Sequence, residues 1–511
     1  MKSSRVPVAS TLLLLASTFP ASTFAQTTFG ARYTAFSENP SFTEPPPLEL
    51  LQADLNGDGI LDFISAQGNQ ELLSNSSGGY TLHHFSSPDL VGSDMPLVAG
   101  DFNGDGKNDV LFYAYTGGNK LFVVGYGDGA GNYPTTKTIT NLPGVVTGEF
   151  SEVVAQATDV NGDGRPDLIL ANLVTSNPSS PTVNVRLYLN NGNGFTDQGN
   201  IYSAVRQQIF NGTTTGIQLL LGDYDADGHA DIAVVNGNLV VLYGNGAGHF
   251  TAKAVTTSSD TLAFAAADMN EDGRTDLVGA DVDRTIHVFL SQAGRTFSQF
   301  AISAPAIAQT PFSFPPILAD FDGNGRKDIG FVAASSDYTQ YGFDAAYQTG
   351  SNIWKLGTFT PVDTFAAYDG MIPFVGFGPG NYNHDQKADV ALFTDDSAAT
   401  NHPNSADVLL NTGGKAIGSC AAPTIGIHVC SPGASSASPV KFSFSATSFY
   451  PLRKMEVWVD GAKKSESYHV LANQGFSDVS LSLAAGTHTI SFFSGTYDGG
   501  VVKKTITVKV P

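Results

Sequence analysis

Asp101-Phe-Asn-Gly-Asp-Gly-Lys-Asn-Asp109 runs directly into Val110-Leu111-Phe112, and this junction of an acidic loop with an apolar strand decides the fold. Side-chain oxygens stand at positions 1, 3, 5 and 9, and a glycine at position 6 lets the backbone turn left-handed. Such a string wraps around a hard cation that takes about six to eight oxygens, so calcium is the expected occupant.

The nine-residue pattern recurs along most of the chain. The first copy offers Asp54, Asn56, Asp58 and Asp62, and the second Asp101, Asn103, Asp105 and Asp109. The third offers Asp159, Asn161, Asp163 and Asp167, and the fourth Asp223, Asp225, Asp227 and Asp231. The fifth has Asp268, Asn270, Asp272 and Asp276, and the sixth Asp320, Asp322, Asn324 and Asp328. A degenerate seventh begins at Asn381, keeps Asp385 and Asp389, and has Gln386 where the glycine was, so it is expected to hold a cation least well. Backbone carbonyls at position 7 complete the sets, from Ile60, Lys107, Arg165, His229, Arg274 and Arg326. For one copy, an Asp/Asn/Gly turn without metal is an adequate reading. Six copies with the same oxygen spacing point instead to about six or seven structural calcium sites, because clustered carboxylates repel one another without a cation.

Position 12 is Ser65, Phe112, Leu170, Val234, Gly279, Phe331 and Leu392, so the bidentate carboxylate of an EF-hand is missing. Each loop leads instead into a short apolar strand, is preceded by another such as Leu219-Leu220-Leu221, and is followed by a third such as Leu239 to Tyr243. The third strand ends in a Gly/Asn/Ser turn capped by an aromatic residue, as at Tyr80, Tyr133, Phe195, Phe250 and Phe297. A fourth, polar strand fits before the next copy. One four-stranded sheet per repeat, repeated seven times, predicts an all-β chain with a seven-bladed β-propeller. Uneven spacing between copies argues against a tight solenoid.

These loops, with turns such as Asn190 to Phe195, resemble the FG-GAP/VCBS repeat family over residues 26–414. The resemblance implies a calcium-binding propeller like those of integrin α heads and many exported bacterial proteins. It implies little about activity, since such propellers serve in adhesion, in sugar binding and as scaffolds of some polysaccharide lyases.

The motif stops after Gly413-Gly414, a linker is expected at 415–421, and alternating stretches over 422–511 predict an immunoglobulin-like β-sandwich with Trp458 in its core. Met1 to Ala25 has the basic start, short apolar centre and small residues of a signal peptide, so an exported mature chain is expected from Gln26, secreted or periplasmic. Its apolar centre is too short to span a bilayer, and no transmembrane segment is expected elsewhere. Cys420 and Cys430, the two cysteines, are expected to pair in that compartment, the alternative being two reduced thiols.

The net charge of −21 excludes nucleic acid as an expected partner. The loops hold 21 Asp and Glu271, nearly half of the 47 acidic residues, so much of that charge is metal-binding in purpose. His229 and His384 lie inside loops as solvent-facing residues, and the pair His83-His84 lacks the companions of a transition-metal site. No nucleophile elbow or P-loop occurs, so an enzyme is the less favoured reading. The expected function is binding or adhesion towards glycans or surface proteins; the alternative is a lyase-like, polysaccharide-active enzyme built on the propeller. Insertions around 172–182, 301–316 and 396–405 are the expected ligand-facing loops, with Phe312 and Phe314 as candidate stacking residues; aromatics tucked under a loop are the favoured alternative for these two.

Overall fold

The computed structural model describes residues 29–511 apart from 39–49, 140–151, 208–215, 304–314, 365–373, 395–403, 414–425 and shorter runs of one to five residues, mostly in loops. For some strands, Phe29–Glu38 among them, it describes the backbone alone. The described secondary structure is entirely β. No helix among the described residues is long and apolar enough to cross a membrane.

Between Phe29 and Asn411 the strands form a series of antiparallel sheets in which most strands pair with their sequence neighbours. The first comprises Leu50–Ala53, Asp62–Ser65, Gln70–Ser74 and Tyr80–His84. The second comprises Met95–Gly100, Asp109–Thr116, Asn119–Tyr126 and Thr135–Ile139. Four further sheets follow over 153–205, 218–255, 261–303 and 317–364, the sixth carrying a fifth strand, Thr360–Thr364, on its long strand Gln340–Gly350. In every repeat the acidic loop joins the first strand to the second. First strands of successive sheets lie side by side, and outer strands face away.

Alternation explains this packing. Successive side chains on a strand point to opposite faces. Val110, Phe112 and Ala114 therefore enter a core shared with the first sheet, while Leu111 and Tyr113 enter one shared with the third. Equivalent cores join the third to the fourth sheet, the fourth to the fifth, the fifth to the sixth, and the sixth to the last. A strand covered on both faces reads as a near-continuous apolar run, as Leu277 to Ala280 does within Asp276–Asp281, which is buried at every position. The outer strand Phe250–Val255 has one exposed run, Thr251 to Ala254, because nothing covers it. Full burial of each large apolar side chain contributes about 1.5–3 kcal/mol, so these shared cores hold the repeats together. Stacked sheets of this connectivity make a β-propeller.

The last sheet of the series is assembled from both ends. Phe29–Glu38 pairs antiparallel with Asn404–Asn411, outside Asp389–Thr394 and Phe374–Gly380. The chain's first strand supplies the outer edge, as the incomplete repeat after Asn381 requires.

Beyond this, Gly426–Cys430, Val440–Thr447 and Gln474–Leu481 form one sheet, and Ala462–Tyr468, Leu452–Val459, Gly486–Thr496 and Val501–Val510 another. Val440, Met455, Val457, Val479, Ile490, Phe492 and Val508 from the two sheets share one core. Trp458 is not in that core, contrary to the sequence expectation. Its neighbours Val457 and Val459 point inward, so it lies on the other face, where Nε1 donates to Glu456 Oε2 at 2.7 Å and the ring meets Phe493 at 5.8 Å.

Candidate metal-binding loops

The last aspartate of each copy organises its loop. Asp62, Asp109, Asp167, Asp231, Asp276, Asp328 and Asp389 are completely buried. One carboxylate oxygen of each accepts the backbone N–H at position 2, from Leu55, Phe102, Val160, Tyr224, Met269, Phe321 and Tyr382, at 2.7–3.0 Å. The other accepts the N–H where the third strand ends, from Ser74, Gly127, Asn190, Gly244, Ser291, Gln348 and Asn411, at 2.6–2.9 Å. Reading position 9 as a cation ligand alone missed this second role. Position 9 is Asp in all seven copies, whereas position 1 is once Asn and positions 3 and 5 interchange Asp and Asn. A carboxylate is required there because an amide presents one acceptor where two donors point.

Positions 1, 3 and 5 are ordered by local hydrogen bonds. Asp105 N–H donates to Asn103 Oδ1 at 2.8 Å and to Asp101 Oδ1 at 3.0 Å, and Lys107 N–H donates to Asp105 Oδ1 at 3.0 Å. The same ladder holds Asp159, Asn161, Asp163 and Arg165, then Asp223, Asp225, Asp227 and His229, and then Asp268, Asn270, Asp272 and Arg274. It also holds Asp320, Asp322, Asn324 and Arg326. Asp and Asn are the residues whose short side chains reach the backbone two residues on. The left-handed turn expected at position 6 is present at Gly228 and Gly273, and a second one lies at position 4, at Gly57, Gly104, Gly162 and Ala226. His229 is half-buried, not simply solvent-facing.

Carboxylates thus converge. Single oxygens of Asp223, Asp225 and Asp231 lie within 4.8 Å of one another, as do those of Asp320, Asp322 and Asp328. Burial pushes Asp109 up to about 8 and Asp62, Asp167 and Asp223 up to about 7, with neighbouring loop carboxylates adding to the rise in each. Burial likewise raises Asp231, Asp276 and Asp328 well above the usual carboxylate range. A cation placed among them would reverse that shift. The acidic groups could hold a metal ion, and their all-oxygen chemistry suits a hard one.

The first four loops and the sixth are also joints to the following sheet. Asn190 Nδ2 donates to the carbonyl of Phe102 at 2.8 Å, Asn411 Nδ2 to that of Phe321 at 2.6 Å, and Gly248 N–H to that of Val160 at 3.1 Å. Asn108 Nδ2 donates to Asp54 O at 2.8 Å, and Thr275 exchanges two hydrogen bonds with the backbone of Asp223. The aromatic turn residues complete the joints: Phe102 meets Phe195 at 5.6 Å, and Tyr224 meets Phe297 at 6.3 Å.

Other expected site residues are placed less centrally. His83 Nε2 lies 3.1 Å from Gly131 O and 3.2 Å from Asn132 Oδ1, so it braces a turn of the second sheet, while His84 is exposed. Of the insertion around 172–182, Asn172 and Val174 continue one strand and Thr182 begins the next, a longer hairpin than expected. Asp58, Ile60, Asn381, His384, Asp385, Gln386, Phe312, Phe314 and Cys420 lie outside the described residues, as do the leader and linker.

The FG-GAP-like repeat family matches residues 54–112, 101–170, 159–234, 223–278 and 268–331, each match running from one acidic loop into the strand after the next. No curated protein matches the chain. Among solved structures, BBS1N in complex with ARL6DN is similar with a TM-score of 0.42 at 11% identity, covering 75% of this chain and 98% of that one. YCF48 from Cyanidioschyzon merolae gives 0.35 at 11% identity, covering 74% and 98%. The fucose-specific lectin from Aleuria aurantia gives 0.29 at 12%, covering 71% and 97%. With matching repeats across more than half its length, each built on the same buried aspartate, the chain belongs to the FG-GAP repeat family.

Proposed function

We propose that the protein is an exported, calcium-stabilised propeller of seven blades, with an immunoglobulin-like module at residues 422–511, that binds glycans or surface proteins. A propeller of FG-GAP repeats fits a binding or scaffold role. The observation that carries the reading is that the first four loops and the sixth sit at joints between consecutive sheets, as Asp223 does through Thr275. Calcium there would rigidify the ring and leave the variable connections as the recognition surface. Asp54, Asp101, Asp159, Asp223, Asp268 and Asp320, with their partners at positions 3, 5 and 9 and the position 7 carbonyls, would supply the ligands; Asp385 and Asp389 would form the weakest site. The strand order of the C-terminal sheets, with the first, second and fifth strands facing the fourth, third, sixth and seventh, supports the immunoglobulin-like reading. Residues 1–25 would direct export, and Cys420 and Cys430 would pair after it.

The test is a screen of the mature protein against a glycan array and immobilised surface proteins, in calcium and in chelator. Binding that needs calcium supports the reading. Depolymerisation of a polysaccharide by the purified protein would favour the lyase alternative. A protein that contains no calcium and melts at the same temperature in chelator would overturn it.

A further inference from the structure

The fourth loop, from Asp223, is the copy with aspartate at all of positions 1, 3, 5 and 9. The added carboxylate is Asp225, where five other copies carry Asn. Facing it from the next sheet is Arg295, whose Nε donates to Asp225 Oδ2 at 2.7 Å and whose Nη2 lies 4.0 Å from Asp227 Oδ2. The guanidinium carbon sits 4.4 Å from the centre of the Tyr243 ring, which holds the group in place.

Arg295 is an unexpected residue for its backbone position. It lies two residues before the aromatic cap Phe297, where the other turns have Gly78, Gly131, Asn193 and Gly248. Gly131 and Gly248 adopt φ of +77° and +75°, and Arg295 is held in the same left-handed region at +61°. A side chain with a Cβ is strained there where glycine is not. The loop with aspartate at all four ligand positions is therefore followed by a turn that places a guanidinium against it.

We infer that Arg295 is a built-in counter-ion of the fourth loop that sets its calcium affinity. The inference rests on the reading of these loops as calcium sites. The guanidinium occupies one oxygen of Asp225 and supplies positive charge among four carboxylates. The fourth loop then binds calcium more weakly than its carboxylates alone would dictate, and keeps its joint with the fifth sheet when no cation is bound. Arginine suits this role, being always charged and able to fork between two carboxylates.

Calcium binding to the mature full-length protein, followed by calorimetry in chelator-buffered solution, tests this with Arg295→Gly. That variant restores the residue its sister turns use and is expected to fold. The number of bound ions should stay constant while one site tightens by about tenfold, the effect of removing one nearby positive charge at partly screened distance. In an Asp225→Asn background the same change should have under about twofold effect, because the contact is already gone. Arg295→Lys, which keeps the charge, should stay near the wild type. Unchanged affinities in Arg295→Gly, or one site weakened, would overturn the inference while leaving the calcium reading intact. A wild type that binds no calcium would overturn both.

Discussion

Tyr382 stacks on Phe63 with ring centroids 5.9 Å apart and planes 16° from parallel, joining the last acidic loop to the first sheet. Its hydroxyl accepts a hydrogen bond from Gln52 Nε2 at 2.5 Å, and both Tyr382 and Gln52 are buried. Elsewhere consecutive sheets share a core; here the two ends of the repeat series meet. Tyr382→Phe keeps the ring but strands the buried amide, and should cost about 1–3 kcal/mol. Tyr382→Ala also removes the stacked ring and should cost about 3–5 kcal/mol. Urea midpoints of the two variants check the order; equal, small losses would mean that this contact does not hold the series closed.

The N-terminal strand closes the same region by backbone pairing, from Phe29 opposite Asn411 to Glu38 opposite Asn404. Removing residues 26–38 from the mature protein leaves Asn404–Asn411 as an open edge, which invites pairing with another chain. The truncated protein should melt at a lower temperature and self-associate. A shortened chain that stays monodisperse by light scattering and melts with the full one would count against closure by this strand.

Two aspartates of one loop should respond differently to the same substitution. Asp109 is buried and accepts N–H groups from Phe102 and Gly127 at 2.9 Å each. Asp109→Asn turns one acceptor into a donor facing a donor, so at pH 9, where the carboxyl is ionised, it should cost about 1–3 kcal/mol in chelator and more in calcium, where a lost ligand adds to the loss. Asp105 is exposed, and the sixth copy has Asn324 in its place. Asp105→Asn should leave stability in chelator within about 0.5 kcal/mol and weaken one calcium site. Denaturant midpoints under both conditions decide it: no loss for Asp109→Asn in chelator would mean that position 9 is a ligand and nothing more.

The repeat and its strands were legible because they are local. Val110-Leu111-Phe112 after Asp109 states a buried strand by composition, and recurrence at Ile232-Ala233-Val234 states that the unit repeats. The joints were not legible, because they pair residues a whole repeat apart. Nothing near Asn190 in sequence indicates that its amide reaches the carbonyl of Phe102, and nothing near Arg295 names Asp225. Asn411 carries the equivalent bond to Phe321, again a whole repeat away. Trp458 misled for another reason: a tryptophan in an apolar strand reads as core until the parity of Val457 and Val459 fixes which face is inside.

Glu71 should make stability fall with rising pH. Its side chain is buried beside the turn of the second sheet, Oε1 accepts the hydroxyl of Tyr133 at 2.7 Å, and Oε2 has no partner among the described residues. Gly131 permits this approach, since a Cβ there would lie 2.5 Å from Oε2. Burial, reinforced by the charges of Asp62 and Asp128, pushes the carboxyl up to about 8 from 4.5. Between those values the folded protein holds a proton that the unfolded chain has released, so stability declines as pH rises from about 4.5 and levels off above about 8. Glu71→Gln mimics the protonated acid, keeps an acceptor for Tyr133 and has nothing to titrate. In saturating calcium, which keeps the loop carboxylates ionised, the variant should therefore lack this decline and exceed the wild type at pH 9 by roughly 1–3 kcal/mol. Urea midpoints of both proteins from pH 5 to pH 9 provide the measurement. Parallel curves would show that Glu71 is ionised in the folded state and that its surroundings accommodate the charge.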